Sequence, residues 1–252
     1  MTSFLLFTIH APLASWGDIA VGEWRGSWDR PSRSAIIGLL GAALGVARHD
    51  ADGQRALRDD YRIGVRGDAL GTPMQDYHTM QTVAKSNLKK NAPTSRAELL
   101  SFSPKETVLS RREYRQGVVC TIAVWAVAEA RWPLADIAVA LQSPVYSLYA
   151  GRRSNPLGLP VRPSVTEATT LAEAFSSRTP LPDNTPSELQ MLRPRQGWGA
   201  EVAHDHCDGF ESGLVAPFRR LLRRDVPVNR TGWLFEERIM LIGMLPRIGD
   251  RA

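Results

Sequence analysis

Arginine, serine and tyrosine are concentrated in the segment Tyr149–Ser154, where their side chains can bind a polyanion. Arg152 and Arg153 place two guanidinium groups side by side, and the hydroxyl of Ser154 adds another donor to phosphate oxygens. Gly151 permits a close approach of the backbone to a ligand, and the ring of Tyr149 can stack on a nucleobase. The pattern predicts a contact with single-stranded nucleic acid, and a solvated loop is the open alternative.

The same mixture of residue types recurs in the run Arg111-Arg112-Glu113-Tyr114. Because side chains alternate along a strand, Arg112 and Tyr114 are expected on one face of a predicted strand. A denser basic run follows at Arg219–Arg224. For that run, a solvated face and a contact with phosphate or protein are both open interpretations.

A glycine-striped helix is predicted to begin near Pro31 and to end near Ala47. Glycine inside a helix costs about 1 kcal/mol relative to alanine, so the stripe indicates a surface that approaches the helix closely. Arg30 and Arg33 lie at the helix start, where free amide hydrogens and the positive end of the dipole suit an anion. We therefore predict a phosphate site there, and tight packing on a sheet is the alternative explanation of the glycines. The small residues that share the striped face are Ser34, Gly38, Gly41 and Gly45.

Few other residues suggest catalysis or metal binding. His78 beside Tyr77 has the residue types needed for acid–base cleavage of RNA, but structural hydrogen bonding is the preferred interpretation because no second His or Lys follows at a telling spacing. The run His204–Asp208, read as a strand, has three metal-ligating residues on one face, but the second Cys/His group of a structural zinc site is missing. Phosphate-binding and dinucleotide motifs are missing too, so no catalytic residue, metal or cofactor is predicted.

These residues need a framework, and the hydrophobic pattern predicts one. Buried strands are expected at 3–10 and 118–127, since both runs are mostly apolar and rich in β-formers. The other predicted elements are a polar helix over 52–60, two short strands over 61–68 and 73–79 joined by a Gly-containing turn, a returning strand over 107–114, helices over 133–141 and 167–177, and closing strands over 218–222 and 233–242.

The order strand, helix, strand, strand, helix is similar to a ferredoxin-like unit, so we predict an α+β chain. A second, smaller β-rich part is expected after Pro163. A basic arm from Met80 to Arg96 interrupts the first part, and its composition predicts that it becomes ordered only on binding a partner. The lysines of this arm are Lys85, Lys89 and Lys90.

The overall composition narrows the class of protein. The 252 residues are 43% hydrophobic and 23% charged, which is typical of a soluble globular protein. The longest apolar run, Ala35–Ala47, is too short to span a bilayer, so no membrane partner is predicted. Two cysteines without a spacing pattern indicate a reducing compartment, and we expect a cytoplasmic protein. The net charge of +5 permits a polyanionic partner.

These motifs occur together, in the same order, in one known family. The chain resembles the CasD subunits of type I-E CRISPR surveillance complexes (Cascade), which belong to the wider Cas-five family. The resemblance covers roughly residues 3–160 convincingly. Five segments carry it: Ala11–Gly17, the glycine-striped helix with its preceding arginines, Asp76–Thr79, Glu113-Tyr114 with its preceding arginines, and Tyr149–Ser154.

The resemblance implies an RRM-like, ferredoxin-like palm over residues 1–160 with a basic thumb hairpin at about 80–112, and a smaller β-rich region over 161–252. It implies a subunit that holds the 5′ handle of the CRISPR guide RNA (crRNA), caps a filament of Cascade backbone subunits and touches the large subunit near target DNA, without forming a homo-oligomer. The RNA-binding residues predicted from the motifs and the resemblance together are Trp16, Gly17, Arg30, Arg33, Ser34, Gly38, Tyr77, His78, Lys85, Lys89, Lys90, Arg111, Arg112, Tyr114, Tyr149, Gly151, Arg152, Arg153 and Ser154.

One subtype of the family cuts precursor guide RNA with a tyrosine and an adjacent Lys-His pair. This sequence contains no Lys-His dipeptide, and in type I-E systems a separate endoribonuclease performs that step, so the resemblance implies binding without cleavage. The open alternative is a metal-independent endoribonuclease that processes CRISPR repeat RNA with His78, Tyr77 and a lysine of the arm.

Overall fold

One large sheet dominates the chain. The structure is a computed structural model that describes residues 1–83, 93–102, 105–127, 129–181, 187, 200–229 and 232–246. The strands are β1 (Thr2–Ala14), β2 (Trp16–Gly17), β3 (Trp24–Arg25), β4 (Ser27–Trp28), β5 (Tyr61–Val83), β6 (Lys105–Ala126), β7 (Ser164–Ala168), β8 (Glu201–Asp205), β9 (Val215–Asn229) and β10 (Leu234–Met244). The helices are α1 (Arg33–Leu44), α2 (Ala51–Asp59), α3 (Arg96–Ser101), α4 (Leu134–Gln142) and α5 (Leu171–Ser176).

Across the described ranges, eight strands form this sheet in the order β7–β1–β6–β5–β8–β10–β9, with short β3 beside β6. Neighbouring strands are antiparallel except for β3 with β6. The predicted α+β class is thereby confirmed. The sheet runs on past residue 160, because β7 pairs with β1 and β8 pairs with β5. The division into two domains stays a prediction.

Strand β1 is buried on both faces of the sheet. Leu5, Phe7 and Ile9 belong to the core that contains the apolar residues of α1 and α4, whereas Phe4 and Leu6 pack with those of α5. Because side chains alternate along a strand, both alternating sets must be apolar, which explains the unbroken apolar run. The predicted buried strands at 3–10 and 118–127 are confirmed, as parts of the longer β1 and β6.

Strands β5 and β6 form a long hairpin, paired from Tyr61 opposite Ala126 out to Val83 opposite Lys105. The prediction of two short strands over 61–79 is wrong, because β5 continues through its glycines and absorbs the irregularity as a register shift between Gly67 and Ala69. The predicted returning strand over 107–114 is confirmed within β6. The predicted arm lies at the hairpin's end, but its lysines Lys85, Lys89 and Lys90 lie outside the described residues.

The boundaries of α1 and α5 differ from the prediction, and α1 ends at Leu44, with Gly45 as its C-cap, rather than near Ala47. Helix α1 begins at Arg33, with Ser32 as the N-cap whose side chain accepts a hydrogen bond from the Ala35 amide, so Pro31 precedes the cap. The helix predicted to start at Glu167 is wrong in its first turn, since Glu167 pairs with Ser3 in β7 and α5 begins only at Leu171. Within the described residues, no helix is long and apolar enough to cross a membrane.

Candidate nucleic-acid interface

An open groove of about 1210 Å³ runs along α1. One wall is the loop that precedes Arg152, a second is the paired β2 and β4, and a third is the end of the β9–β10 hairpin. The groove brings together five of the predicted RNA-binding residues, namely Gly17, Ser34, Gly38, Tyr149 and Gly151.

The floor of the groove is the striped face of α1. Ser34 and Gly38 line it, and the Ser34 hydroxyl lies 3.0 Å from that of Ser32. Gly41 also borders the groove, but a Cβ placed there would lie 3.3 Å from Cδ1 of Leu57 on α2. At Gly41, the close approach that the stripe predicts is therefore made by the neighbouring helix.

The loop wall depends on Gly151, whose φ is +82°. A Cβ at this position would lie 1.9 Å from the carbonyl oxygen of Ser15, and the Ser15 amide donates a 3.1 Å hydrogen bond to the carbonyl of Ala150. Gly151 thus serves a close contact between two backbone segments. That contact fixes the loop so that Tyr149, 41% exposed, borders the groove.

Arg152 joins the two Arg/Tyr motifs of the sequence. Its guanidinium carbon lies 4.6 Å above the centroid of the Tyr114 ring on β6, a cation–π contact. The Nη1 atom of Arg152 is buried without a hydrogen-bond partner among the described residues, whereas Arg153 and Ser154 are exposed. Of the two predicted arginines, Arg152 is therefore held by stacking on Tyr114, whereas Arg153 faces solvent.

Arg30 and Arg33 do not form the free phosphate site predicted at the helix start. Arg30 is buried and forms ion pairs with Asp29 and Glu201, and although burial opposes its charge, these carboxylates raise its pKa. Arg33 is 5% exposed, and burial together with the positive charge of Arg238 lowers its pKa to about 9. A contact of either side chain with RNA stays a prediction, but in this structure both serve internal ion pairs.

The amide group at the start of α1 is occupied as well, because the N–H of Arg33 donates a 2.8 Å hydrogen bond to Asp225 of β9. Arg238 of β10 binds Asp225 through Nε at 2.7 Å and Asp205 of β8 through Nη1 at 2.8 Å. Arg33 also forms an ion pair with Asp205. This buried network of Arg33, Asp205, Asp225 and Arg238 fastens the helix start to the three strands behind it.

Trp16 and Gly17 have different environments. Trp16 is 1% exposed and packs in the core, with its backbone paired to that of Trp28. Gly17 is exposed and borders the groove. Of these two predicted residues, only Gly17 is accessible to a ligand in the described structure.

Tyr77 and His78 lie on the outer part of the β5–β6 hairpin, outside the groove lining. Tyr77 is 55% exposed and lies opposite Arg111. Nε2 of His78 lies 2.8 Å from Oδ2 of Asp76, and Asp76 lies opposite Arg112. Tyr77 and Arg111 therefore form a second cluster of predicted residues on one face of the hairpin, whereas Arg112 points to the opposite face with Asp76.

Several groove residues were not among the predicted binding set. Arg223 stacks on Trp28 with its guanidinium carbon 3.2 Å from the ring centroid, and Arg48 lies 4.6 Å above the ring of Trp233. Phe235 stacks against Trp233 with ring centroids 6.2 Å apart. The basic run Arg219–Arg224 is a sequence signal for Arg223 alone, and no spacing in the sequence connects Arg48 with Trp233 and Phe235.

No cluster of three or more His, Cys, Asp or Glu side chains in the described part of the chain is arranged to hold a metal ion. Of the run His204–Asp208, the first two residues end β8, and His204 is 6% exposed with a pKa that burial lowers to about 4. The strand ends at Asp205, so the strand conformation considered for the whole run does not extend to His206 and Asp208.

The fold and the groove define an α+β protein with one dominant antiparallel sheet, whose open groove is lined by cationic, aromatic and hydroxyl side chains. A family model described as CRISPR-associated protein (Cas_Cas5) matches residues 4–238, so the chain belongs to the Cas5 family.

Individual relatives agree with this assignment. The chain is 29% identical over 196 residues to the CRISPR system Cascade subunit CasD of Escherichia coli (strain K12), covering 75% of this chain and 82% of that protein. Its fold is similar to a chain of a CRISPR RNA-guided surveillance complex, with a TM-score of 0.67 and 24% identity over 97% of this chain and 90% of that one. A structure described as a Cas protein is similar with a TM-score of 0.57 and 20% identity, covering 97% and 95% of the two chains.

Proposed function

We propose that this chain is a non-catalytic RNA-binding subunit of a Cascade-type surveillance complex and that it holds the 5′ handle of the crRNA. Membership of the Cas5 family and the similarity to a Cascade subunit support a place for this chain in such a complex. The observation that carries the proposal is the groove, which combines the Ser34 and Gly38 floor with Tyr149 and stacked arginines.

The lining of the groove suits a single strand with its bases unstacked. Glycine and serine on α1 let a sugar–phosphate backbone lie close to the helix, since they lack bulky side chains. Aromatic rings accept bases irrespective of sequence, and arginine adds phosphate contacts and stacking. The hairpin cluster with Tyr77 and Arg111 offers a second, exposed set of donors beyond the groove.

The strand order also supports a ferredoxin-like palm. The chain passes through β1, α1, β5, β6, α4 and β7, and these four strands lie in the order β7–β1–β6–β5. That path corresponds to a βαββαβ unit with both helices against one face, and the buried apolar residues of α1 and α4 share one core. In this proposal, the outer half of the β5–β6 hairpin is the thumb.

In the complex, the subunit is proposed to cap the backbone filament beside the large subunit, near target DNA, as a single copy in the cytoplasm. The family relationship supports the association with a Cascade complex. The hairpin's exposed outer half is the element of the described structure best placed to reach a neighbouring subunit.

The competing function is metal-independent cleavage of repeat RNA. Among the described residues, Asp76 is the carboxylate beside His78, with its Oδ2 2.8 Å from Nε2 of the imidazole. The predicted lysine partners lie outside the described residues.

One assay separates binding from cleavage. The purified chain is incubated with labelled handle RNA and with labelled repeat RNA, without divalent metal. The proposal predicts a saturable complex with handle RNA, weaker binding to RNA of scrambled handle sequence, and intact repeat RNA. A specific cut that is lost in His78→Ala would favour the ribonuclease instead.

A further inference from the structure

Trp233 immediately precedes β10 and lines the groove with 59% of its surface exposed. Its φ is +51°, in the left-handed region that bulky residues rarely adopt. The backbone here would suit glycine better, so a large indole at this position calls for a role of its own. Conformations of this kind are concentrated at functional sites.

The surroundings of Trp233 hold the indole in place. Phe235 stacks against it with an angle of 27° between the ring planes, and Arg48 lies over the ring. Arg224 borders the same part of the groove and donates a 3.1 Å hydrogen bond from Nε to the carbonyl of Phe235. One cation thus lies over the indole, and a second is bonded to the backbone of Phe235, two residues further along the chain.

We propose that Trp233 is a stacking platform for one unstacked base of the bound RNA, which takes the place of the Arg48 guanidinium over the indole while Arg48 and Arg224 bind the neighbouring phosphates. The inference rests on the proposed function and names a contact within it. Trp233 borders the same groove as Tyr149 and Ser34, which favours an RNA base over a protein partner as its ligand. The groove lining thus contains aromatic rings for a base, arginines for phosphates and hydroxyl groups for a sugar.

The test uses Trp233→Gly, because glycine accepts a φ of +51° and the variant should keep its melting temperature. Phe218→Ala is the matched control, since Phe218 is 66% exposed but lies outside the groove lining. Handle RNA carries the fluorescent base 2-aminopurine at one position at a time, and stacking quenches its emission. We expect wild type to quench one position strongly, Trp233→Gly to restore emission there, and Trp233→Phe to keep most of the quenching.

Affinity and its salt dependence give a second readout. Loss of one base–aromatic stack corresponds to an affinity loss of about 5- to 150-fold. Because no phosphate contact is lost, the slope of log K against log salt should not change in Trp233→Gly, whereas Arg48→Ala or Arg224→Ala should each reduce it by roughly one unit.

Two results would overturn the inference. In one, Trp233→Gly binds handle RNA with unchanged affinity and an unchanged quenching profile. In the other, that variant binds RNA normally but no longer joins the Cascade complex, which would identify Trp233 as a protein anchor. If wild-type protein itself does not bind handle RNA, the proposed function fails, and that outcome is distinguishable from both.

Discussion

The carbonyl oxygen of Ser15 occupies the space that a side chain on residue 151 would need: a Cβ on Gly151 would lie 1.9 Å from it. The two residues are far apart in sequence, and their contact fixes the Tyr149 loop against the end of β1. One wall of the groove therefore depends on a residue that has no side chain.

Gly151→Ala should destabilise the protein strongly. Both the steric overlap and the φ of +82° oppose it, so we expect a loss of more than about 2 kcal/mol in the free energy of unfolding. Gly209→Ala isolates the conformational cost, because Gly209 has φ +70° with nothing within 4 Å of its Cβ. Chemical denaturation checks both, and equal losses in the two variants would refute the close contact.

The glycine stripe should contribute to stability through α2. Gly41→Leu is expected to cost about 1–3 kcal/mol, because the new side chain meets Leu57. Adding Leu57→Ala should recover part of this loss, as the two positions share one space. A Gly41→Leu variant of normal stability that fails to bind handle RNA would show instead that this position faces the RNA.

Asp225 should be essential to the buried network. Asp225→Ala leaves Arg33 and Arg238 without one carboxylate, and breaking a buried ion pair typically costs about 3–5 kcal/mol. Asp52→Ala is the control, since Asp52 pairs with Arg55 at the surface and its loss should cost under about 0.5 kcal/mol. Equal effects in denaturation would contradict the role assigned to the network.

Asp225 should also make the stability of the protein depend on pH. Burial alone would raise the pKa of Asp225, but its hydrogen bonds and ion pair with Arg238 hold it below the ordinary value of 3.8. A lowered folded-state pKa means that the stabilisation is complete above the unfolded-state value and is lost as pH falls through the folded-state value. Asp225→Asn should therefore lose less stability than wild type on acidification below about pH 4. Parallel acid-unfolding curves would contradict this.

Arg152→Ala combined with Arg153→Ala should weaken binding of handle RNA. If each guanidinium neutralises a phosphate, the slope of log K against log salt should fall by roughly two units. Stability should change little beyond the stack on Tyr114, worth about 0.5–1 kcal/mol. Arg55→Ala, on the exposed face of α2, is the control and should change neither affinity nor slope. An unaltered salt slope in the double variant would remove both residues from the RNA site.

Much of the framework could be predicted from the sequence because its signals are local. The apolar runs of β1 and β6 are buried on both faces, and local periodicity reports such burial directly. The continuous β5 could not be predicted, because its glycines are typical of turns and only pairing with β6 keeps the strand intact.

The candidate site was predictable in part, for a related reason. The Tyr149 loop and the α1 stripe are compact in sequence, whereas the partners of Arg33 come from Asp205 and Asp225, far along the chain. Long-range ion pairs leave no local pattern, so a helix start that suits a phosphate also suits an internal carboxylate. The missed Trp233 acquires its significance from its backbone conformation and from Arg48, which sequence spacing does not reveal.

Ultraviolet crosslinking of the assembled complex with its natural RNA, followed by mass spectrometry of the crosslinked peptides, tests the central claim most directly. The account predicts crosslinks from the RNA handle to the peptides that contain Tyr149 and Trp233, which border the groove. Crosslinks confined to surfaces away from the groove, such as the exposed side of α4 around Val139, would contradict it.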